Sequence, residues 1–316
     1  MLYAHDTVVM AESEIDLQIA LNVVYEYCND WYLTVNTSKT KIVVFSRGKI
    51  RKLPVIKFGD SILEVVFEYT YLGILFNYNN TFQKAIAKLV TQAKRAMYSL
   101  SVKCKKLMLP IDMQIQLFHQ TIAPILLYGS EIWGFEKLDQ IEIFHKKFLK
   151  NLLGLNMSTT SSMVYGETGE LDMSFYVQNR MLNFWLKLST GKQHKLSCTI
   201  YRFLKYMSDN NIYESKWLRH VKHNLDRRGF SNLWYLDYNT IIVSESWFKN
   251  SLKLRGADII SQLWHSTMWN QTACFNYRIF KENRRIEKYL SVLEYKDRLT
   301  LCKFRCRNSY LPVCKK

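Results

Sequence analysis

The residues best suited to metal chemistry lie within the first dozen positions of the chain. Apolar residues lead up to the polar pair His5 and Asp6, and β-branched residues follow at positions 7–9. This pattern predicts two short strands that pair across a tight turn with the polar pair at its tip. A carboxylate at such a tip is held on a rigid scaffold, where it can reach a divalent cation. The sequence therefore makes Asp6 a candidate metal ligand.

The segments that follow predict the elements that would support this hairpin. Ser13 can cap a helix that ends near Asp30, and acids in its first turn favour the positive end of the helix. Strands are predicted at 33–35, 41–45, 55–58, 61–65 and 69–76. The helix is expected to lay one apolar side on this sheet through residues at four-residue spacing: Ile15, Ile19, Val23 and Tyr27.

A cationic stretch covers positions 39–57. Solvated lysines on edge strands would explain it, because they discourage pairing between sheets. The absence of any acid favours a surface that faces phosphate groups. The stretch contains seven basic residues: Lys39, Lys41, Arg47, Lys49, Arg51, Lys52 and Lys57.

The segment from Lys84 to Pro110 is also basic, with seven Lys or Arg residues and no acid. At about 100° per residue, Ile86, Leu89, Val90, Ala93, Met97 and Leu100 fall on one side of a helix, and Lys84, Lys88 and Arg95 fall on the opposite side. Solvated helix faces normally mix basic and acidic residues, whereas a face of one sign suits the backbone of a nucleic-acid duplex. We therefore predict a binding face at Lys84, Lys88 and Arg95.

Further helices are expected beyond Pro110. The first should carry an apolar stripe of Leu117, Thr121 and Ile125, and Gly154 should end a later helix as a left-handed cap. Cations at 145–147 and at Lys150 fit a solvated face as well as a binding face. Aromatic residues among the basic ones of the C-terminal half could stack on bases, but their helical spacing favours the core.

The composition favours a folded protein with a polyanionic partner. The 316 residues are 48% hydrophobic and 14% aromatic, and 44 Lys and Arg against 27 Asp and Glu give a net charge of +17. Seven scattered cysteines indicate a reducing, intracellular location, nuclear or cytoplasmic, and the apolar runs are too short to span a membrane. Three cysteines near the end, Cys302, Cys306 and Cys314, are one ligand short of a structural zinc site.

The sequence resembles the reverse transcriptases of LINE-type (non-LTR) retrotransposons. The tetrapeptide Tyr3-Ala4-His5-Asp6 is similar to their catalytic box, whose usual form is an aromatic residue followed by Ala-Asp-Asp. Later segments match in the same order along the chain: Thr34-Val35-Asn36 with Lys39-Thr40-Lys41, Tyr69 to Ile74, Pro124 to Gly134, Arg180 to Trp185, and Lys303 to Cys306. The resemblance therefore extends over nearly the whole chain.

The resemblance implies roles for particular residues. It places Lys39 or Lys41 near the incoming nucleotide, and it assigns the primer grip to Tyr71, Leu72 and Gly73. It places the basic helix in the thumb, which holds the primer and the template. The implied partner is therefore RNA or an RNA/DNA duplex.

The catalytic box departs from the family at its first acid. That acid is the essential ligand of Mg²⁺ in the family, and His5 stands in its place, so that Asp6 is the residual ligand. A neutral imidazole supplies neither the charge nor the oxygen donor that Mg²⁺ favours. The family also uses an acid upstream of the box, where this sequence begins. We therefore expect no stable Mg²⁺ site and no polymerase activity.

The expected fold class is α+β: the remnant of a palm, with a small antiparallel sheet and a helix, followed by a helical thumb and a mainly α C-terminal domain. The expected domains are 1–80, 81–155 and 156–316, with a boundary in the Ser-, Thr- and Gly-rich stretch 156–169. The leading hypothesis is a truncated reverse-transcriptase relic that retains nucleic-acid binding. The alternatives are a fragment of an active RNA-directed DNA polymerase and a helical interaction module derived from one.

Overall fold

The computed structural model describes residues 2–3, 6–46, 48, 52–191, 195–235 and 244–306. The chain forms two compact units, Met1–Ala85 and Ile86–Lys316. The first unit combines short strands with one helix, and the second is helical, so the fold is α+β. The expected division into 1–80, 81–155 and 156–316 stays a prediction.

The chain begins with the predicted hairpin. Strand β1 (Leu2–Tyr3) pairs antiparallel with β2 (Asp6–Thr7), and Tyr3 lies opposite Asp6. Asp6 is therefore the first residue of the second strand and not part of the turn. His5 lies outside the described residues.

Helix α1 (Glu14–Asp30) begins where it was predicted, because the Ser13 side chain accepts a hydrogen bond from the Asp16 amide at 3.1 Å. Its predicted apolar side is wrong. The residues that face the core follow alternating spacings of four and three: Leu17, Leu21, Val24 and Cys28. Residues spaced strictly by four drift by about 40° at each step, so that such a series leaves the buried side. The predicted series, Ile15, Ile19, Val23 and Tyr27, is 55–73% exposed.

The strands of the first unit form four two-stranded ladders and not one antiparallel sheet. Strands β3 (Lys41–Ile42) and β6 (Glu64–Val65) pair in parallel, and β4 (Lys57–Phe58) pairs antiparallel with β5 (Ser61–Ile62). The predicted strand at 33–35 does not form. A small core joins these strands to α1 through Leu21, Cys28, Ile42, Ile56, Phe58 and Leu63.

The run at 69–76, predicted as one strand, is a hairpin. Strand β7 (Glu68–Tyr71) turns back into β8 (Ile74–Asn77), and four residue pairs connect the two. The turn residues Leu72 and Gly73 both have positive φ angles, 45° and 81°. Two consecutive residues of this kind reverse the chain with the twist that a tight hairpin requires.

The second unit begins within α2 (Gln83–Lys106), which is followed by α3 (Ile111–Leu117), a π-helical turn (Phe118–Ile122) and α4 (Ala123–Leu126). The predicted stripe of Leu117, Thr121 and Ile125 is wrong, because Thr121 is exposed. The buried series has no polar member, so it avoids the cost of burying a hydroxyl; it consists of Ile111, Ile115, Phe118, Ile122 and Leu126.

The remaining helices build the rest of this unit. Gly154, with φ 64°, ends α6 as the predicted left-handed cap. The helices are α5 (Ser130–Trp133), α6 (Asp139–Leu153), α7 (Ser161–Thr168), α8 (Met173–Thr190), α9 (Leu196–Asp209), α10 (Lys216–Arg227), α11 (Ser231–Tyr235), α12 (Glu245–Asn270), α13 (Tyr277–Phe280), α14 (Tyr289–Val292) and α15 (Tyr295–Arg305).

Helix α7 lies in the stretch that was expected to be a domain boundary, yet it is buried from Ser162 to its end. Its Glu167 is fully buried and accepts hydrogen bonds from the hydroxyls of Tyr277 at 2.8 Å and Tyr289 at 2.5 Å. The Nε of Arg305 lies 3.0 Å from the same carboxylate. Burial and the neighbouring Glu167 carboxylate both raise the pKa of Tyr277. These contacts connect α7 with three later helices.

Two of the cations at 145–150, for which a solvated face and a binding face were both open, are also buried. Lys150 donates a hydrogen bond to the Met157 carbonyl at 2.6 Å, and His145 is fully buried. His119 Nε2 lies 2.7 Å from Glu170 Oε2, and His145 Nε2 lies 3.7 Å from the same atom. Burial would raise the pKa of Glu170, but the interactions with the two histidines lower it to about 2.

Most of the large aromatic residues are in the core, as their spacing indicated. Trp133, Trp185, Trp234, Phe118, Phe175 and Phe248 are fully buried, whereas Trp247 and Trp269 are more than half exposed. The six cysteines of the described chain are buried thiols, and Cys314 lies outside it. In the same part of the chain, no helix combines the length and the apolar character that crossing a membrane requires.

Candidate nucleic-acid interface

Helix α2 separates an apolar side from a basic side, as predicted. Ala85, Ile86, Leu89, Val90, Ala93 and Cys104 are buried. Its basic residues are all exposed: Lys84, Lys88, Lys94, Arg95, Lys103, Lys105 and Lys106. We call these seven side chains the α2 cationic surface. Because the apolar side fixes the rotation of the helix in the core, the basic residues are held towards solvent.

Three members of the α2 cationic surface lie on one line along the helix. At about 100° per residue, Lys88 and Lys106 coincide in direction, and Arg95 is about 20° away. At about 1.5 Å per residue, Lys88 and Lys106 lie about 27 Å apart along the axis, so the line extends over about five helical turns.

Lys84 forms an ion pair with Glu68 of β7. The sequence around Lys84 gave no sign of this partner, since Glu68 lies 16 residues earlier. The ion pair reduces the positive charge that Lys84 can offer to a ligand.

In the second predicted basic region, 39–57, an acid from another strand also forms an ion pair with one of the lysines. Lys41 Nζ lies 2.6 Å from Glu64 Oε2 on the neighbouring β6, and the Lys41 side chain is 22% exposed. Lys39 is exposed, and its carbonyl accepts a hydrogen bond from the Tyr69 hydroxyl at 3.4 Å. Lys52 and Lys57 are exposed as well, and Arg47, Lys49 and Arg51 lie outside the described residues. Among the predicted pair, Lys39 is thus the better candidate for contact with phosphate.

The donor set around the hairpin does not fit Mg²⁺. Asp6 is exposed, but its carboxylate is a single acid, and Mg²⁺ in nucleotide-processing sites is held by more than one oxygen ligand. Over the described part of the chain, no group of three or more His, Cys, Asp or Glu side chains is arranged to hold a metal ion. The role of Asp6 as a residual metal ligand stays a prediction.

The predicted primer-grip residues form the end of the β7–β8 hairpin. Tyr71 is partly buried and pairs with Ile74, and Leu72 and Gly73 make the turn between the strands. The sequence motif therefore marks a well-defined structural element, a tight turn. Its part in holding a primer stays a prediction.

Comparison with known proteins supports the resemblance seen in the sequence. The chain is similar to RNA-directed DNA polymerases from the mobile element jockey, with 26% identity over 165 residues in Drosophila funebris and 24% over 165 residues in Drosophila melanogaster. It is also similar to an uncharacterized transposon-derived protein of Caenorhabditis elegans, with 26% identity over 162 residues. These matches confirm the predicted similarity to LINE-type reverse transcriptases.

The similarity covers only part of this chain and only part of each relative. The matched segments cover 48–49% of this chain, 18% of each jockey polymerase and 57% of the nematode protein. No family model matches the chain, and no solved structure matches it.

Proposed function

We propose that this chain is a reverse-transcriptase-related protein that binds RNA and RNA/DNA duplexes through the α2 cationic surface. The similarity to the jockey proteins supports a nucleic-acid partner, because those proteins are RNA-directed DNA polymerases. The net charge of +17 supports the same class of partner. The alternative is that the chain is a helical interaction module that binds other proteins.

The observation that carries this proposal is that all charged residues of α2 are basic. Solvated helices elsewhere in the protein mix their charges, as in the ion pairs Lys249–Glu245 on α12 and Lys205–Asp209 on α9. Helix α2 contains no acid between its first and last residues. Seven exposed cations on one helix repel one another, and a polyanion removes that repulsion.

Binding of this kind should depend on the backbone and not on the base sequence. Phosphate contacts position a protein on nucleic acid without reading the bases, and each contact releases a condensed counterion. Lys and Arg on a helix surface can make such contacts with either RNA or DNA strands. We therefore expect the affinity to depend little on the base sequence of the nucleic acid.

The affinity of the protein for a 20-base-pair RNA/DNA hybrid should fall by about 10³-fold between 50 and 200 mM salt, if about six phosphates are contacted. Fluorescence anisotropy of a labelled hybrid at several salt concentrations measures this fall. A hybrid of different base sequence serves as the control and should give the same curve. A change of less than tenfold would contradict the proposal.

We further propose that binding is not accompanied by polymerisation. The catalytic box has His5 in place of the first acid, which leaves Asp6 as its only carboxylate. Charged oxygen ligands are what such a site needs, and a single acid is too few.

Primer extension on an RNA template tests this second part. The native chain and the variant His5→Asp should both give no product above a heat-denatured sample, because one restored acid does not supply the remaining ligands. Extension by the native chain would overturn the statement. Extension by His5→Asp alone would show that the substitution is the sole defect.

A further inference from the structure

A cavity in the second unit contains a buried arginine. The cavity has a volume of about 130 Å³ and lies between α8, α10 and α12. Arg228, which directly follows α10, is only 4% exposed and lines this cavity together with Arg227. Burial of a guanidinium is costly unless its charge is balanced.

The hydrogen bonds of Arg228 go to neutral groups. Its guanidinium donates to the side-chain oxygen of Asn179, to Gln178 Oε1 at 3.1 Å and to the Leu252 carbonyl at 3.3 Å. These acceptors satisfy donors but carry no negative charge. Among the residues that the structure describes, no carboxylate forms an ion pair with Arg228. The pKa of Arg228 is lowered to about 10 by burial and by Arg227, so the side chain still carries its charge at neutral pH.

Two other arginines of the same unit, both partly buried, have acidic partners. Arg305 lies 3.0 Å from Glu167 and 3.4 Å from Glu287, and Arg284 lies 3.8 Å from Asp172. Asp172 also lines the cavity, but its carboxylate is already near Arg284. The cavity therefore combines two arginines with one acid, and that acid has another cation beside it.

Helix α12 leaves room for the guanidinium at Gly256. A Cβ atom at that position would lie 2.9 Å from Phe175 Cε2 and 3.1 Å from Arg228 Cζ. Gly is a poor helix former, and here it occupies the middle of a 26-residue helix. The absence of a side chain at Gly256 lets α12 approach the charged group closely.

We propose that this cavity binds a phosphate group, with Arg228 as the inner cation and Arg227 at the outer edge. A tetrahedral oxyanion would supply the negative charge that Arg228 lacks and would accept from the planar donors of both guanidinium groups. Asn224 and Ser174, which also line the cavity, add polar groups to its wall. Free phosphate and the phosphate of a nucleic-acid strand share this chemistry. The site uses no residue of α2, so it does not depend on the function proposed above.

The test is thermal unfolding of the full chain in sodium phosphate and in sodium chloride of equal ionic strength. At about ten times its Kd, phosphate should raise the Tm by roughly 2–4 °C in a saturable manner. Arg228→Met keeps an unbranched apolar stem and removes the charged guanidinium, and it should abolish the shift. Arg219→Gln, on the exposed side of α10, is the matched control and should leave the shift unchanged.

Arg227→Gln is a second variant in case Arg228→Met does not fold. Because Arg227 is exposed, the variant should fold normally and weaken phosphate binding by about tenfold. A native protein without a phosphate-specific shift would overturn the proposal, and so would an equal shift in the Arg227 and Arg219 variants.

Two oligonucleotides then separate the possible sources of the group. Both have the same sequence, and only one carries a 5′-phosphate. Competition with inorganic phosphate by the phosphorylated strand alone identifies a terminal phosphate as ligand, and competition by both identifies the backbone. Inhibition by neither leaves free phosphate as the ligand. Arg228→Met should abolish phosphate binding and with it any competition by the oligonucleotides, and a competition that survives this change would overturn the assignment.

Discussion

Replacing Lys88, Arg95 and Lys106 together with glutamate is expected to weaken binding of an RNA/DNA hybrid by about 100-fold at about 150 mM salt. The three residues lie nearly on one line of α2, so they can follow one backbone of a bound duplex. Charge reversal removes three attractive contacts and adds repulsion of the phosphates. Anisotropy with the labelled hybrid measures the affinity. Lys84 is left unchanged because Glu68 already holds it in an ion pair.

The matched control changes the same amount of charge elsewhere. Lys253, Lys288 and Lys296 are exposed residues of the second unit, and Lys288 and Lys296 are each adjacent to an acid in the sequence. Replacing these three with glutamate also lowers the net charge by six, but it should reduce the affinity by less than about fivefold. If both triple variants lost affinity equally, overall charge and not α2 would explain the binding. Circular dichroism should show unchanged helix content in both.

The variant Glu167→Ala is expected to lower the free energy of unfolding by about 3–5 kcal/mol. Glu167 is fully buried, and its carboxylate accepts from Tyr277 and Tyr289 and balances Arg305. Removing it leaves two hydroxyls and a partly buried guanidinium with fewer partners. The midpoint of urea unfolding, followed by circular dichroism, measures the loss.

Two further variants test whether the buried charge is the cause. Glu245→Ala removes an acid of an exposed ion pair on α12, and its effect on the midpoint should be small. Adding Arg305→Met to Glu167→Ala should restore part of the lost stability, because the guanidinium no longer lacks its partner. A purely additive double variant would contradict a direct interaction between the two side chains.

Local features of the fold were predictable from the sequence. The Ser13 cap and the left-handed Gly154 each depend on one residue and its immediate neighbours, and both are as predicted. The two sides of α2 were also predictable, because a 24-residue helix presents its pattern over several turns. The similarity to LINE-type reverse transcriptases was found from short segments in a fixed order.

Features that depend on distant residues were not predictable in the same way. Glu64 lies 23 residues from Lys41, and Glu167 lies 138 residues from Arg305. Counting charges within one stretch of sequence cannot reveal such partners. Arg228 was recognisable as part of a basic patch between His220 and Phe230, but its burial was not, because that burial depends on Gly256 and on the packing of three helices.

The errors in α1 and at 69–76 have a different origin. Helix α1 carries apolar residues on more than one side, so periodicity alone could not select the side that meets the core. At 69–76 the turn contains Leu72, and leucine rarely adopts a positive φ angle. The residue pairs that usually mark a tight hairpin turn, such as Asn-Gly or Gly-Gly, are therefore missing from this stretch. In both places tertiary packing decided between patterns that the sequence permits.

The salt dependence of binding tests the central claim most directly. On a plot of log affinity against log salt concentration, the native protein should give a slope near −5 with about six phosphate contacts. The variant with Lys88, Arg95 and Lys106 replaced should give a slope less steep by about 3, and the control triple variant should keep the native slope. Equal slopes for all three proteins would contradict a nucleic-acid interface on α2.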